Sequence, residues 1–194
     1  MSKTRLFASL PWLLASALVA QAPKPNPAAP ARPRAGATSA TNATVDSVIA
    51  GLYESVSHGN DAEPKWELMR EVFLPVGQLI PPKRPNEDRF TVLDVDGFQE
   101  RVRKGAAAAK AKGDPTSFFE KEVARQQDCF GNVCQVFSTY EARRDPSDAK
   151  PFISGINSIQ LVRDESGWHI ASVIWDVERP DNPIPPQYAP KPKS

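Results

Sequence analysis

The stretch Cys129-Phe130-Gly131-Asn132-Val133-Cys134 places a turn signal between two long strand-like runs, residues 117–129 and 133–144. Gly-Asn between such runs reads as a β-hairpin. A second pair, 152–163 and 168–179, flanks the turn Asp164-Glu165-Ser166-Gly167. If Gly131 and Asn132 form a two-residue loop, Phe130 faces Val133 and Cys129 faces Cys134. That cysteine pair is then non-hydrogen-bonded, with Cα atoms about 4.5 Å apart, near the short end of disulfide geometry. In an oxidising compartment it closes, with a stabilisation of about 2 kcal/mol for so short a loop. Two buried free thiols are the alternative. The cysteines have no companions at metal-ligand spacing, so no metal site is expected.

Upstream of the hairpins the periodicity changes. Val45, Val48, Ile49, Leu52 and Val56 recur at helical spacing, which predicts a helix over 44–58 capped by Thr44 and stopped by Gly59. His58 then falls in its last turn, where a cation suits the helix dipole. Trp66, Met69, Val72 and Phe73 predict a second helix, capped by Asp61 and ended by Pro75. Val76–Ile80 and Phe90–Leu93 read as short strands around a polar loop at 83–88. Asp96 with Gln99 resembles a capping box and opens a third helix. That helix stops at Gly105 or continues through the Ala-rich run to Gly113. Helices followed by long antiparallel strands imply an α+β fold with the helices on one face of a sheet.

Composition narrows the function. Proline is abundant, 20 of 194 residues, but gathers in residues 23–33, 75–85 and 180–192. Residues 1–22 read as a secretory signal: Lys3 and Arg5, an apolar run Leu6–Val19, then small residues with cleavage after Ala20 or Ala22. The alternative is a retained anchor, but the run is short for a membrane span and contains Pro11. The expected location is therefore periplasmic or secreted, without stable membrane insertion after cleavage. Residues 23–41 form a flexible Pro/Ala-rich linker, 42–180 the domain and 181–194 a Pro-rich tail. Ile184 and Tyr188 of the tail can dock on the domain. Without Lys3 and Arg5, 22 basic residues face 23 acidic ones, so nothing marks a nucleic-acid partner. Arg143-Arg144 reads as a pair of solvated strand-end charges. Asn42-Ala43-Thr44 matches a glycosylation acceptor, a match frequent by chance.

The runs Phe137-Ser138-Thr139-Tyr140-Glu141, Gly155-Ile156-Asn157-Ser158-Ile159-Gln160-Leu161-Val162 and Gly167-Trp168-His169-Ile170 through Trp175-Asp176, with the ending Asn182-Pro183-Ile184-Pro185, resemble the nuclear transport factor 2-like superfamily, in its bacterial SnoaL-like form. The resemblance spans about residues 42–188. It implies three N-terminal helices packed on a strongly curved, mainly antiparallel sheet, a cone with a pocket. Members include ketosteroid isomerase-like, dehydratase-like and epoxide hydrolase-like enzymes as well as binding and assembly domains. They often dimerise through the outer sheet face. Fold alone selects no function.

Strict alternation along the second hairpin puts Ile153, Asn157, Ile159, Leu161, Trp168, Ile170, Ser172, Ile174 and Asp176 on the helix-facing side. Asn157, Ser172 and Asp176 are its polar exceptions, and buried polar groups need partners or a wet pocket. On the first hairpin Val123, Arg125, Cys129, Val136, Ser138 and Tyr140 share a face. Arg125, Tyr140, Asn157, Ser172 and Asp176 are thus the candidate ligand-binding residues. Asp176 is the candidate base, with Tyr140 donating to a developing oxyanion. Alternatively Asp176 pairs with Arg125 or caps the strand end in solvent. The opposite face carries Phe152, Ile156, His169, Val173, Trp175 and Val177. A sheet apolar on both sides is usually covered on both, which predicts a homodimer, with His169 an interface or surface residue rather than a base. No cofactor, nucleophile or phosphate motif is recognisable. The expected function is an exported domain binding a small ligand or partner. The alternatives are a small lyase, isomerase or hydrolase with an Asp base, and a structural module of the cell envelope.

Overall fold

The computed structural model describes residues 39–84 and 87–191. The expected signal segment 1–22, nearly all of the expected linker and the last three residues lie outside the described residues. The element order is α1 (Val45–Val56), α2 (Trp66–Val72), β1 (Phe73–Ile80), α3 (Val95–Ala111), β2 (Phe119–Phe130), β3 (Val133–Arg143), β4 (Ile153–Asp164) and β5 (Gly167–Val177). The strands form one mixed sheet in the order β1-β5-β4-β3-β2. Only β1 with β5 is parallel; the two long hairpins are antiparallel. The α+β class therefore stands. The sheet is not strongly curled, contrary to expectation: its irregularities are local bulges, which bend single strands without closing a sheet. Nor do the helices all precede the strands, because β1 separates α2 from α3.

Local chemistry explains the element ends. Thr44 caps α1 by accepting from the Ser47 N–H, and Ser47 reciprocates. The helix ends at Ser57 in an extended conformation, not at Gly59. His58 consequently leaves the helix and pairs in a β-bridge with Phe118. Asp61 does not cap α2; Lys65 occupies that position without a side-chain bond. Pro75 sits inside β1 instead of ending the helix. Proline is tolerated there because β1 is an edge strand. Asp94, not Asp96, caps α3 by accepting from the Gly97 N–H at 2.8 Å. The alanine run carries α3 through Gly105 to Ala111, and Gly113 follows with φ +76°. Residues 90–93 make no strand, only a single bridge between Leu93 and Leu79.

The core lies between the helices and one sheet face. Val48, Ile49 and Leu52 of α1, Met69 and Val72 of α2, and Phe73 meet Val136, Ile159, Leu161 and Ile170 there. Phe98 of α3 inserts edge-on between Trp66 and Trp175, at centroid distances of 6.3 and 5.8 Å. No helix among the described residues is long and apolar enough to cross a membrane.

The first hairpin has the register read from its turn: Phe130 faces Val133 and Cys129 faces Cys134. Gly131 takes φ +58° at the first loop position, as a type II′ turn requires. The two cysteines are disulfide-bonded across the ladder, Cα to Cα 4.1 Å. We expect intact mass to rise by two hydrogens on reduction. Replacing both cysteines by serine should cost about 2 kcal/mol in urea denaturation; an unchanged midpoint would show that the bridge does not stabilise the fold.

Candidate functional site

Two bulges decide which side chains face the helices. In β2 the pairing passes from Glu122–Tyr140 to Ala124–Thr139, leaving Val123 as the extra residue. In β5 it passes from Gln160–Ser172 to Leu161–Ile170, leaving Ala171 extra. One inserted residue reverses every side chain beyond it. Past Ala171, Val173, Trp175 and Val177 turn toward the helices, and Ser172, Ile174 and Asp176 turn away. Past Val123, going toward the start of β2, Glu122 and Glu120 turn inward instead of Val123.

The expected site residues are therefore divided. Tyr140 and Asn157 face the interior, both buried. Asp176 is exposed and held by Arg179, at 2.7 and 3.1 Å, with Asn182 beside it. The Arg179 guanidinium holds its carboxyl below the usual carboxylate range. Asp176 is not a buried base. Ser172 also lies on the outer side, opposite Gln78 and Gln160. Arg125 is inward but committed: it grips Glu122 with two bonds, at 2.8 and 2.7 Å, and also bonds Asp46. It borders a shallow cleft by α1, not the main cavity. Asp176 and Arg125 do not pair with each other.

The main cavity, about 430 Å³, lies between the sheet, α1 and α3. Leu52, Val56, Leu79, Phe98, Val173 and Trp175 form much of its apolar wall. Its size and lining suit a small-molecule site. Its polar groups are Glu120, Tyr140, Asn157, His58, Thr116 and Arg144. Arg144 corrects an expectation. It is half-buried and lines the cavity, while Arg143 is mostly covered and pairs with Glu141 at 2.8 Å. His58 reaches the same cavity, its Nδ1 3.0 Å from the Gly59 carbonyl oxygen.

Glu120 is the residue that alternation missed. The residue keeps slight solvent access, but its carboxyl is enclosed by protein, and that local enclosure governs its titration. Burial pushes the carboxyl up to about 7, partly offset by a hydrogen bond from Asn157. The donors can be traced. Ser138 donates its hydroxyl proton to Glu122. Tyr53 must then donate to Ser138 Oγ, at 2.6 Å. Asn157 Nδ2 donates to Tyr53 and to Glu120, at 3.2 Å each. Glu122 thus receives Arg125 and Ser138, while Glu120 receives a single amide donor.

Tyr140 stands outside this chain. Its hydroxyl makes no hydrogen bond to a described residue. Burial, then the nearby Glu120, push its pKa upward, so it remains a protonated donor. Its ring passes over Gly155, where an added Cβ would lie 2.6 Å from the hydroxyl and 2.3 Å from the Asp176 carbonyl oxygen. Glycine is needed at this close approach.

On the outer side, Tyr188 stacks on Phe137 at 5.2 Å, and its carbonyl accepts from Thr139. His169 is buried rather than presented: its Nδ1 lies 3.1 Å from Asn42 Nδ2 and its Nε2 2.8 Å from Ser166 Oγ. Asn42 itself is buried, which closes the glycosylation acceptor.

No family model matches the sequence. No curated protein matches it either. Among solved structures, similar ones include proteins described as nuclear transport factor 2-like, as having a cystatin-like fold and as a candidate ketosteroid isomerase. A nuclear transport factor 2-like protein of unknown function from Silicibacter pomeroyi has a TM-score of 0.45 and 12% identity, over 69% of this chain and 92% of that one. A candidate ketosteroid isomerase from Parabacteroides distasonis has 0.44 and 10%, over 70% and 88%. A cystatin-like-fold protein of unknown function from Nostoc punctiforme has 0.42 and 14%, over 59% and 77%. At these levels the neighbours carry no information about chemistry.

Because the folded pKa of Glu120 is raised, the folded state holds a proton that the unfolded chain releases near pH 4.3, roughly the free-glutamate value. Its contribution is fully favourable below that pH and is lost as pH climbs through about 7. Glu120→Gln removes the loss. We expect equal stabilities near pH 4 and a gain for the variant of up to about 3 kcal/mol at pH 8. Parallel stability–pH curves for the two proteins would show that Glu120 titrates normally.

Proposed function

We propose that the chain binds an apolar small molecule with a polar head in the main cavity, and that Glu120 moves a proton on it. One observation carries this reading: an enclosed carboxyl held at about 7 beside a tyrosine hydroxyl with no hydrogen-bond partner among the described residues. A carboxyl balanced near neutrality serves as base or acid at physiological pH. The Tyr140 hydroxyl is poised to donate to an oxygen that gains charge as a C–H bond is broken. The reaction class is proton abstraction next to a carbonyl, as in an isomerase or lyase, with Glu120 replacing the Asp base expected from sequence. The disulfide suits an exported protein, and we take the periplasm or the extracellular space as its location.

Hydrogen–deuterium exchange into a panel of cyclic and aryl ketones tests the chemistry without knowing the substrate. The protein should accelerate α-hydrogen exchange, with a rate rising as pH passes through about 7. Glu120→Gln should slow exchange by about 100-fold or more, and Tyr140→Phe by a smaller factor. Ketones that quench Trp175 fluorescence on binding but exchange no faster than in buffer would reduce the site to a binding pocket.

A second copy on the outer sheet face is the partner we infer. Ile174 there is 45% exposed, and an outer groove of about 770 Å³ runs between Phe137, Ile156 and the tail residues Ile184 and Tyr188. Sedimentation velocity should give a dimer that Ile174→Asp converts to monomer. A monomer in the unaltered protein at high concentration rules this out.

A further inference from the structure

We propose that Arg144 is the anchor for a carboxylate, so that the cavity's ligand is an amphipathic acid: an apolar body with an anionic head. This rests on the reading of the cavity as a small-molecule site and adds the ligand's class.

Arg144 differs from most arginines of the fold. Arg70, Arg101, Arg103, Arg125, Arg143 and Arg179 each form an ion pair with a carboxylate. Arg144 forms none among the described residues, although it is half-buried. Its protein contacts fix its position without neutralising it. One guanidinium nitrogen donates to the Ser117 carbonyl at 2.7 Å. The guanidinium lies over the Phe152 ring, 4.1 Å from its centre. Phe152 is itself held edge-on by Phe118 at 5.9 Å. One bonded nitrogen and the ring beneath the guanidinium carbon hold the group in place, and its remaining N–H groups form the planar fork that grips a carboxylate with two parallel bonds.

The surroundings favour an anion there. The titratable side chains lining the cavity are His58, Glu120, Tyr140 and Arg144. The acid among them does not pair with Arg144. On the inner sheet face Glu120 stands opposite Ala142, two residues before Arg144, a step of about 7 Å along a strand. Glu120, Tyr140 and Asn157 lie on β2, β3 and β4, with Arg144 just past the end of β3, while α1, α3, β1 and β5 supply much of the apolar wall. An acid bound head-first at Arg144 would lay its body along that wall and its first carbons near Glu120.

Isothermal titration calorimetry with decanoate and decanamide tests the assignment. The two share an apolar body and a planar head and differ in charge. At pH 6 Glu120 is largely protonated and decanoate is ionised. We expect decanoate to bind about 10-fold or more tightly than decanamide. Arg144→Met should bring the ratio to about 2-fold or less, weakening decanoate far more than decanamide. Arg144→Lys, which keeps the charge but not the fork, should give an intermediate ratio and serves if the Met variant does not fold. Equal binding of both probes by the unaltered protein overturns the carboxylate anchor and leaves the cavity reading standing. Equal weakening of both probes in either variant assigns Arg144 to packing and also overturns it. Binding of neither probe removes both readings.

Discussion

A β-strand has a side-chain period of two, so one extra residue in a ladder reverses everything beyond it. The arrangement of the interior depends on two such insertions, at Val123 in β2 and at Ala171 in β5. They do opposite things energetically. The bulge in β5 rescues a hydrophobic pattern: it brings Val173, Trp175 and Val177 under the helices and releases Ser172 and Asp176. Burial of large apolar side chains is worth about 1.5–3 kcal/mol each, far more than a lost ladder bond. The bulge in β2 works against the pattern, because it turns two glutamates inward. Burying a carboxylate is costly unless it is bonded, and local rules are broken without local benefit mainly at functional sites.

How those glutamates are accommodated separates their roles. Glu122 accepts from both arms of the Arg125 guanidinium and from Ser138. Such charge-assisted bonds are short and strong and satisfy the carboxyl oxygens. The donor chain from Asn157 through Tyr53 and Ser138 runs toward Glu122, so Glu120 is left with one amide. The same network that satisfies one carboxylate withholds donors from the other, so burial pushes the second carboxyl up toward neutrality with only the Asn157 amide to offset it. Two acids two residues apart are thus given different sets of donors by their surroundings, three for Glu122 and one for Glu120.

Much of this architecture was legible, for stated reasons. The turn at Gly131-Asn132 set the register of β2 and β3 and hence the disulfide. Helical spacing located α1, and Tyr140 and Asn157 lay on the predicted inner face because no bulge interrupts β3 or β4 between the turn and these residues. The β5 bulge left a trace as well. Every polar exception on the expected inner face except Asn157 lies beyond residue 171, and so do the apolar residues Val173, Trp175 and Val177 of the expected outer face. A change of phase within one strand is the signature of an inserted residue. Asp176 was misplaced because strict alternation was carried through it. Glu120 left no such trace, since burying it contradicts hydrophobicity; only the three-dimensional register reveals it. Arg144 read as a strand-end charge for the same reason, as its cover comes from Phe152 and Ser117 on other segments.

The placement of Tyr140 follows from an absence of side chain. Gly155 lies opposite it on β4, and any Cβ there would collide with the tyrosine ring and with the Asp176 backbone. With that space open, the ring lies across β4 and the hydroxyl is delivered toward the cavity rather than into the Tyr53–Ser138 chain. Had Tyr140 joined that chain, its proton would already be committed, and the cavity would hold an acid without a donor beside it. The ladder position of one glycine, the phase shift at Val123 and the direction of the donor chain together leave a proton acceptor and a hydrogen-bond donor side by side in an apolar space. Among the described residues Glu120 receives one amide donor and the Tyr140 hydroxyl none, which leaves both groups with hydrogen-bonding capacity directed at the cavity.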